Sequence, residues 1–108
     1  MQVTISGQHV EITETLREYV QRKLTRINRH FGPVIRSHVV FHVAKNRHRV
    51  ETTVHTKGTQ WHAAAEDRDM YVAIDRVVEK LDRQAIKHKE KVVNHHKEEG
   101  GLKNRPNT

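Results

Sequence analysis

The most conspicuous chemistry in this chain belongs to lysines and arginines that recur at helical spacing in two segments. They are Arg22, Lys23, Arg26 and Arg29 in the first segment and Arg76, Lys80, Arg83, Lys87, Lys89 and Lys91 in the second. At about 100° per residue, the arginines of the first segment and most cations of the second each fall on one side of a helix, away from its apolar stripe. Glu79 and Glu90 only flank the second set, so we expect no neutralising network of i,i+4 pairs. Aligned cations suit a phosphate backbone, because each contact releases counterions.

Composition supports an anionic partner and excludes several classes of function. Twenty lysines and arginines against thirteen aspartates and glutamates give a net charge of +7 with histidine neutral, and the ten histidines add charge in acid. The absence of cysteine excludes disulfides, a thiolate nucleophile and cysteine zinc sites. The chain has neither an apolar run of the roughly 18 residues that a membrane span needs nor a signal-peptide pattern. We therefore expect a cytoplasmic protein that does not enter a membrane.

Signatures of catalysis and of metal binding are weak. The chain has no glycine-rich phosphate loop and no G-x-S-x-G sequence. His42, His55 and His62 share one face of the predicted sheet, where imidazoles of adjacent strands can converge on a metal. A pH-sensitive surface or plain solvated residues explain these histidines more simply. The acidic residues between Glu66 and Asp75 are better explained as charges at a helix start than as a magnesium site, so we expect no enzyme activity, cofactor or metal.

Hydrophobic periodicity divides the chain into six elements. Alternating apolar residues predict strands, whereas apolar spacings of three and four predict amphipathic helices. Thr13 is a suitable N-cap for the first helix, which Gly32 and Pro33 end, and acidic residues suit the start of the second. The predicted order is a strand at 3–6, a helix at 13–31, strands at 37–46, 50–56 and 61–66, and a helix from 67–69 to about 95.

These elements predict one α+β domain, a β-α-β-β-β-α two-layer sandwich with both helices on one face of a four-stranded mixed sheet. A right-handed crossover makes the first two strands parallel and the other pairs antiparallel. Trp61 shares its parity with Ala63 and Ala65, which places its ring in the core. The second helix, about 39 Å long, should overshoot an eight-residue strand of about 26 Å. We assign residues 1–97 to the domain and 98–108 to a flexible tail.

Two segments of the sequence resemble a known family. MQVTISGQHVEITETLREYV opens the chain, and AAAEDRDMYVAIDRVVEKLDRQAIKHKEK contains DMY-x-AID followed by KLDRQ and KHK. Over about residues 1–95 the chain resembles the bacterial short ribosome hibernation promoting factors and the related Y protein, or ribosome-associated inhibitor A. The resemblance implies a non-enzymatic stress and stationary-phase factor that blocks translation. Its expected partners are whole ribosomes and the small ribosomal subunit, where it would meet 16S rRNA in the mRNA and tRNA channel between head and body.

The resemblance also implies roles for particular residues. Basic residues of both helices face rRNA in the family, and the matching positions here are Lys23, Arg26, Lys80, Arg83, Lys87, Lys89 and Lys91. Arg22, Arg29 and Arg76 join them only by their position around the helices. The short factors promote inactive ribosome dimers together with ribosome modulation factor, whereas Y protein opposes dimers through a longer tail. The body here is closer to the short factor, so we expect dimer promotion, and a monomer when the protein is free.

Three other hypotheses remain open. A double-stranded RNA-binding module also places two helices on one face of an antiparallel sheet, and it would bind a free duplex regardless of ribosomal context. A protein-interaction module would set the basic face against an acidic protein, and charge reversal there would leave RNA binding unchanged. A Y-protein-like inhibitor would silence ribosomes but oppose their dimerisation.

Overall fold

The six predicted elements are all present and in the predicted order. The computed structural model describes the backbone of residues 2–31 and 33–100, and the side chains of residues 2–27, 31 and 33–88. Its elements are β1 (Gln2–Gln8), α1 (Glu14–Phe31), β2 (Val34–Ala44), β3 (Arg47–Thr56), β4 (Thr59–Asp67) and α2 (Met70–Gly100). The predicted β-α-β-β-β-α fold is therefore confirmed.

Local sequence signals explain where the helices begin. The backbone N–H of Leu16 donates to Thr13 Oγ1 at 3.2 Å, which makes Thr13 the N-cap of α1. Asp69 Oδ1 accepts from the backbone N–H of Tyr71 at 2.8 Å in the same way at the start of α2. These hydrogen bonds satisfy amide groups that a helix start leaves without an intrahelical partner.

The four strands form one sheet in the order β1-β2-β3-β4. β1 pairs with β2 in parallel, and the other two pairs are antiparallel, as the sequence predicts. A two-residue turn at Lys57 and Gly58 joins β3 to β4, and Gly58 has a φ of 84°, a conformation that favours glycine. This register places the apolar residues of β2, β3 and β4 on one face of the sheet.

The core lies between that face and the two helices. Its fully buried strand residues include Phe41, Val50 and Val54, and its helix residues include Ile27 and Leu81. The other buried apolar residues are Leu16, Val20 and Leu24 of α1, Val34, Val39, Ala63 and Ala65 of the strands, and Met70, Ala73, Ile74, Val77, Val78 and Ala85 of α2. The predicted apolar stripes of both helices are therefore confirmed at these positions, whereas His88, which helical spacing also places on the α2 stripe, is exposed. Both helices lie on one face of the sheet.

Some predicted boundaries and one predicted burial differ from the structure. β2 begins three residues earlier than predicted, at Val34 directly after Pro33. β3 also begins three residues earlier, because the hairpin between the two strands turns within two residues, Lys45 and Asn46. Trp61 has the core-facing parity, opposite Val54, but its ring is only partly buried and packs against the rim of the core. Trp61 is the third residue of β4, near one end of the sheet, where Phe31 and His88 pack against its ring.

α2 is longer than predicted and ends at Gly100, so residues 98–100 of the predicted tail lie in the helix. Residues 101–108 are outside the described residues. At about 1.5 Å per residue, its 31 residues span about 46 Å, and the nine residues of β4 only about 30 Å. The predicted overshoot of the helix is confirmed. Within the described part of the chain, no helix has the length and apolarity that crossing a membrane requires.

Candidate nucleic-acid interface

The cations of α1 lie beside a tyrosine that joins the two helices. Arg22 is exposed, and its guanidinium carbon lies 5.3 Å from the centroid of the Tyr19 ring. Lys23 Nζ lies 5.4 Å from the same centroid and 3.4 Å from Oδ1 of Asp75 on α2. Arg26, one turn further along, is exposed. α1 therefore presents Arg22 and Arg26 to solvent, whereas Lys23 contacts α2.

The cations in the first half of α2 have acidic neighbours. Arg76 lies 3.5 Å from Oδ1 of Asp67 at the end of β4. Arg83 lies 4.0 Å from Oε1 of Glu79 one turn earlier, and both of these side chains are well exposed. Exposed pairs of this kind contribute little to stability, and an incoming phosphate can displace the carboxylate. Arg76 and Arg83 therefore remain available to an anionic partner.

Lys80 has a different position from the other cations. Its Nζ donates to the backbone carbonyl of Ala64 at 2.6 Å, and Gln84 Nε2 donates to the carbonyl of His62 at 2.9 Å. β4 is an edge strand, and its outward carbonyls lack a neighbouring strand. Two side chains of α2 therefore cover this edge, which protects it from pairing with another chain.

The expectation that i,i+4 pairs leave the basic set unneutralised fails for Arg83 and Glu79, which lie 4.0 Å apart. Asp67 and Asp75 also lie within 4.0 Å of cations of the set. A helical wheel treats one helix at a time, so it overlooks these two acids, which other elements supply. The surface that we call the helix-face cations consists of Arg22, Lys23, Arg26, Arg76, Lys80, Arg83 and Lys87. Of these, Lys87 is exposed close to the end of the described side chains; the side chains of Arg29, Lys89 and Lys91 lie outside them.

Arginines and glutamates form a connected polar network on the sheet face opposite the helices, which the sequence analysis does not predict. Glu51 accepts from Arg49 Nε at 3.1 Å, and Arg49 reaches Glu66 at 3.4 Å. Arg47 lies 3.1 Å from the other oxygen of Glu66, so the network continues across β3 and β4. The hydrogen bond from Arg49 holds the pKa of Glu51 below its ordinary value, and the hydrogen bond from Arg47 does the same for the pKa of Glu66. The alternation of residues along each strand predicts that these side chains share a face. Which arginine meets which glutamate depends in addition on the register between β3 and β4.

The histidines considered as metal ligands contact separate partners in this network. His42 Nδ1 lies 3.0 Å from Gln8 Oε1, and His42 Nε2 lies 3.6 Å from Glu51 Oε2. His62 Nδ1 lies 3.1 Å from Thr53 Oγ1. Among the described residues, no group of three or more histidines, aspartates or glutamates has the arrangement to hold a metal ion.

Comparison with known protein families identifies the family of this chain. Residues 3–93 match the family model described as "Sigma 54 modulation protein / S30EA ribosomal protein". The chain belongs to this family. The sequences of related proteins align with this chain over most of their length. A protein named ribosome hibernation promoting factor from Azotobacter vinelandii is 46% identical over 93 residues, which are 86% of this chain and 87% of that protein.

Two further groups of S30EA relatives support the assignment. The ribosome hibernation promoting factor of Escherichia coli K12 is 44% identical over 95 residues, 88% of this chain and all of that protein. A solved ribosomal subunit interface protein from Coxiella burnetii superposes with a TM-score of 0.74 at 33% identity, covering 83% of this chain and 99% of that one. The N-terminal domain of Thermus thermophilus Protein Y gives 0.73 at 34% identity, covering 79% and 96%. The family predicted from the two sequence segments is therefore confirmed.

Proposed function

We propose that this protein is a ribosome hibernation factor that binds the small ribosomal subunit through the helix-face cations and blocks translation during stationary phase or stress. The site is the channel for mRNA and tRNA between head and body, where 16S rRNA supplies the phosphates. Its occupation excludes mRNA and the anticodon ends of tRNA. A factor with this role works in the cytoplasm, without catalysis.

The observation that carries this proposal is the placement of exposed cations on both helices of an S30EA fold. Arg22 and Arg26 on α1 and Arg76, Arg83 and Lys87 on α2 all extend from the layer that covers the sheet, and all are exposed. The net charge of +7 adds long-range attraction to RNA. The names of the relatives, which refer to ribosome hibernation and to a ribosomal subunit interface, supply the biological context.

Promotion of inactive ribosome dimers with ribosome modulation factor is the finer part of the proposal. The Escherichia coli relative named ribosome hibernation promoting factor is matched over its whole length, by 95 of the 108 residues of this chain. The alternative is a Y-protein-like factor that opposes dimers. Sucrose gradients of ribosomes with this protein and ribosome modulation factor distinguish the two, because only the first increases the dimer peak.

Cosedimentation tests the central claim. The purified protein is centrifuged with isolated small subunits, large subunits and a plain RNA duplex across a salt series. We expect retention on small subunits and whole ribosomes that weakens as salt rises and is lost when mRNA and tRNA are added. Equal binding to small subunits, large subunits and the RNA duplex would instead favour the double-stranded RNA-binding module. Absence from all three would favour an acidic protein partner.

A further inference from the structure

An aromatic pocket opens at the end of the sandwich where α1 ends and the β3–β4 hairpin turns. Its volume is about 520 Å³, within the range of small-ligand sites. Phe31, Trp61 and Ala85 line it from α1, β4 and α2, and Ile35 of β2, which is 55% exposed, lies at its side. The pocket is separate from the helix-face cations, although His88 in its wall follows Lys87 directly in α2.

Trp61 is held in a fixed orientation in this pocket. Its ring centroid lies 4.8 Å from that of Phe31 at an interplanar angle of 61°, and 5.0 Å from that of His88 at 84°. Its indole N–H donates to Thr56 Oγ1 at 3.3 Å. The one polar group of the indole therefore already has a partner, and the part of the ring that faces the pocket offers aromatic carbon. A preordered aromatic surface of this kind suits stacking, because little conformational entropy is lost on binding.

The charge in the pocket wall favours an anion. Lys57, which is exposed in the hairpin turn, lines the pocket, and His88 adds an imidazole ring to its wall. No carboxylate is among the lining residues within the described part of the chain. Hydroxyls of Thr56 and Thr59 supply polar groups beside the aromatic surface. An aromatic surface next to a cation is the combination by which proteins hold single-stranded nucleic acid, with the base stacked and the phosphate paired.

We propose that this pocket binds one unpaired nucleobase of an RNA strand, stacked on Trp61 with its phosphate contacted by Lys57. The inference rests on the proposed function, because the RNA would come from the partner of the helix-face cations, of which Lys87 directly precedes His88 of the pocket wall in α2. The stacked base adds a contact that depends on single-stranded RNA, which cations on a helix surface do not provide.

Fluorescence tests the proposal directly, because Trp61 is the only tryptophan of the chain. The full-length protein is titrated with a single-stranded RNA hexamer, with an abasic hexamer of the same phosphate number, with a blunt RNA duplex and with adenosine monophosphate. We expect saturable quenching by the RNA hexamer and none by the abasic strand or the duplex. Comparable quenching by adenosine monophosphate at the same concentrations would indicate a mononucleotide site and overturn the assignment to an RNA strand.

Matched variants separate the pocket from general charge effects. Lys57→Gln and Lys45→Gln each remove one exposed lysine from a hairpin turn, at opposite ends of β3. We expect Lys57→Gln to weaken the quenching affinity severalfold and Lys45→Gln to leave it unchanged. Equal effects of the two variants would overturn the proposal. Trp61→Leu, followed by anisotropy of a labelled hexamer and checked for folding by circular dichroism, should weaken binding by at least about fivefold, and Trp61→Phe should restore most of the loss.

The two proposals fail in different experiments. Retention on small subunits without any quenching by the RNA hexamer would contradict the pocket alone. Quenching without retention on small subunits would contradict the ribosomal assignment, and the pocket would then belong to a factor for another RNA. Because the hexamer titration contains no ribosome, its result does not depend on the cosedimentation.

Discussion

The hydroxyl of Tyr19 on α1 donates a 2.7 Å hydrogen bond to Oδ1 of Asp75 on α2. The two residues are 56 positions apart in the sequence, and the same carboxylate oxygen lies 3.4 Å from Lys23 Nζ. The Tyr19 ring also meets Tyr71 edge to face, with centroids 4.9 Å apart. One carboxylate therefore connects the two helices that carry the basic residues, and it fixes their relative position at the surface.

This hydrogen bond predicts an alkaline loss of stability. It raises the pKa of Tyr19 above its ordinary value, with burial as the second cause. Because the folded-state pKa is the higher one, the stabilisation is present at pH below about 10 and is lost as pH rises through the raised pKa. Tyr19→Phe should cost about 1 kcal/mol in free energy of unfolding at pH 7 and nearly nothing above the raised pKa.

Urea unfolding from pH 7 to 11 checks this prediction. The wild-type and Tyr19→Phe curves of unfolding free energy against pH should converge at the alkaline end. Tyr71→Phe is the matched control, because its ring packs on Tyr19 but its hydroxyl has no part in the bond to Asp75. Curves that stay parallel through pH 11 would contradict the assigned role of the hydroxyl.

Charge reversal on α2 tests the proposed RNA-binding surface. Arg83→Glu and Lys87→Glu should weaken small-subunit binding and lower the slope of log affinity against log salt by about 1 for each phosphate that the variant no longer binds. Both residues are exposed, so their unfolding free energies should change by less than about 0.5 kcal/mol. Lys45→Glu, a reversal in the β2–β3 turn, is the control. Wild-type affinity in both α2 variants would exclude this surface.

Lys80 and Lys87 should separate affinity from stability. Both are exposed lysines of α2, but the ammonium of Lys80 is bonded to the Ala64 carbonyl at the edge of β4. Lys80→Ala should therefore cost about 1 kcal/mol in unfolding free energy, and it should lose less RNA affinity than Lys87→Ala, because part of the Lys80 ammonium is already bonded within the protein. Lys87→Ala should weaken RNA binding and leave the unfolding free energy nearly unchanged. Parallel thermal melts and RNA titrations of the two variants measure this, and a larger loss of affinity for Lys80→Ala would refute the distinction.

The fold was largely predictable because its signals are local. The parity of Val39, Phe41, Val50 and Val54 depends only on the strand period, and the helix stripes depend only on spacings of three and four. For Trp61 the alternation along β4 predicts the correct face of the sheet but not the extent of burial. The burial of its ring depends on where the sheet ends relative to α1 and α2. Burial at a rim is a tertiary property, which alternation along a strand does not contain.

The candidate site was predictable as a set of exposed cations but not as a set of contacts. Helical spacing places Arg83 and Lys87 on the outer side of α2 correctly. It does not reveal that Lys80 reaches the β4 edge or that Asp75 meets Lys23, because long side chains take partners from other elements. The aromatic pocket was missed for the same reason, since Phe31, Trp61 and His88 come from three elements.

Glu51 should make stability depend on pH in acid. The hydrogen bond from Arg49 is the main cause of its lowered pKa, and the charge of Arg49 and of nearby His42 acts in the same direction. Because the folded-state pKa is the lower one, the stabilisation is present above the ordinary value of about 4.5 and is lost as pH falls through the folded-state pKa. Glu51→Gln should lower the unfolding free energy at pH 6 by at most about 1 kcal/mol, because the side chain is partly solvated.

Denaturant unfolding between pH 6 and 3 measures this effect. The difference between wild type and Glu51→Gln should shrink steadily below pH about 4.5, where the wild-type carboxylate takes up its proton. Glu18→Gln, at an exposed position on α1, is the matched control and should track wild type throughout. If the Glu51→Gln difference is constant across the range, the hydrogen bond from Arg49 does not hold the carboxylate in its charged form, and the network on the sheet face contributes nothing to acid stability.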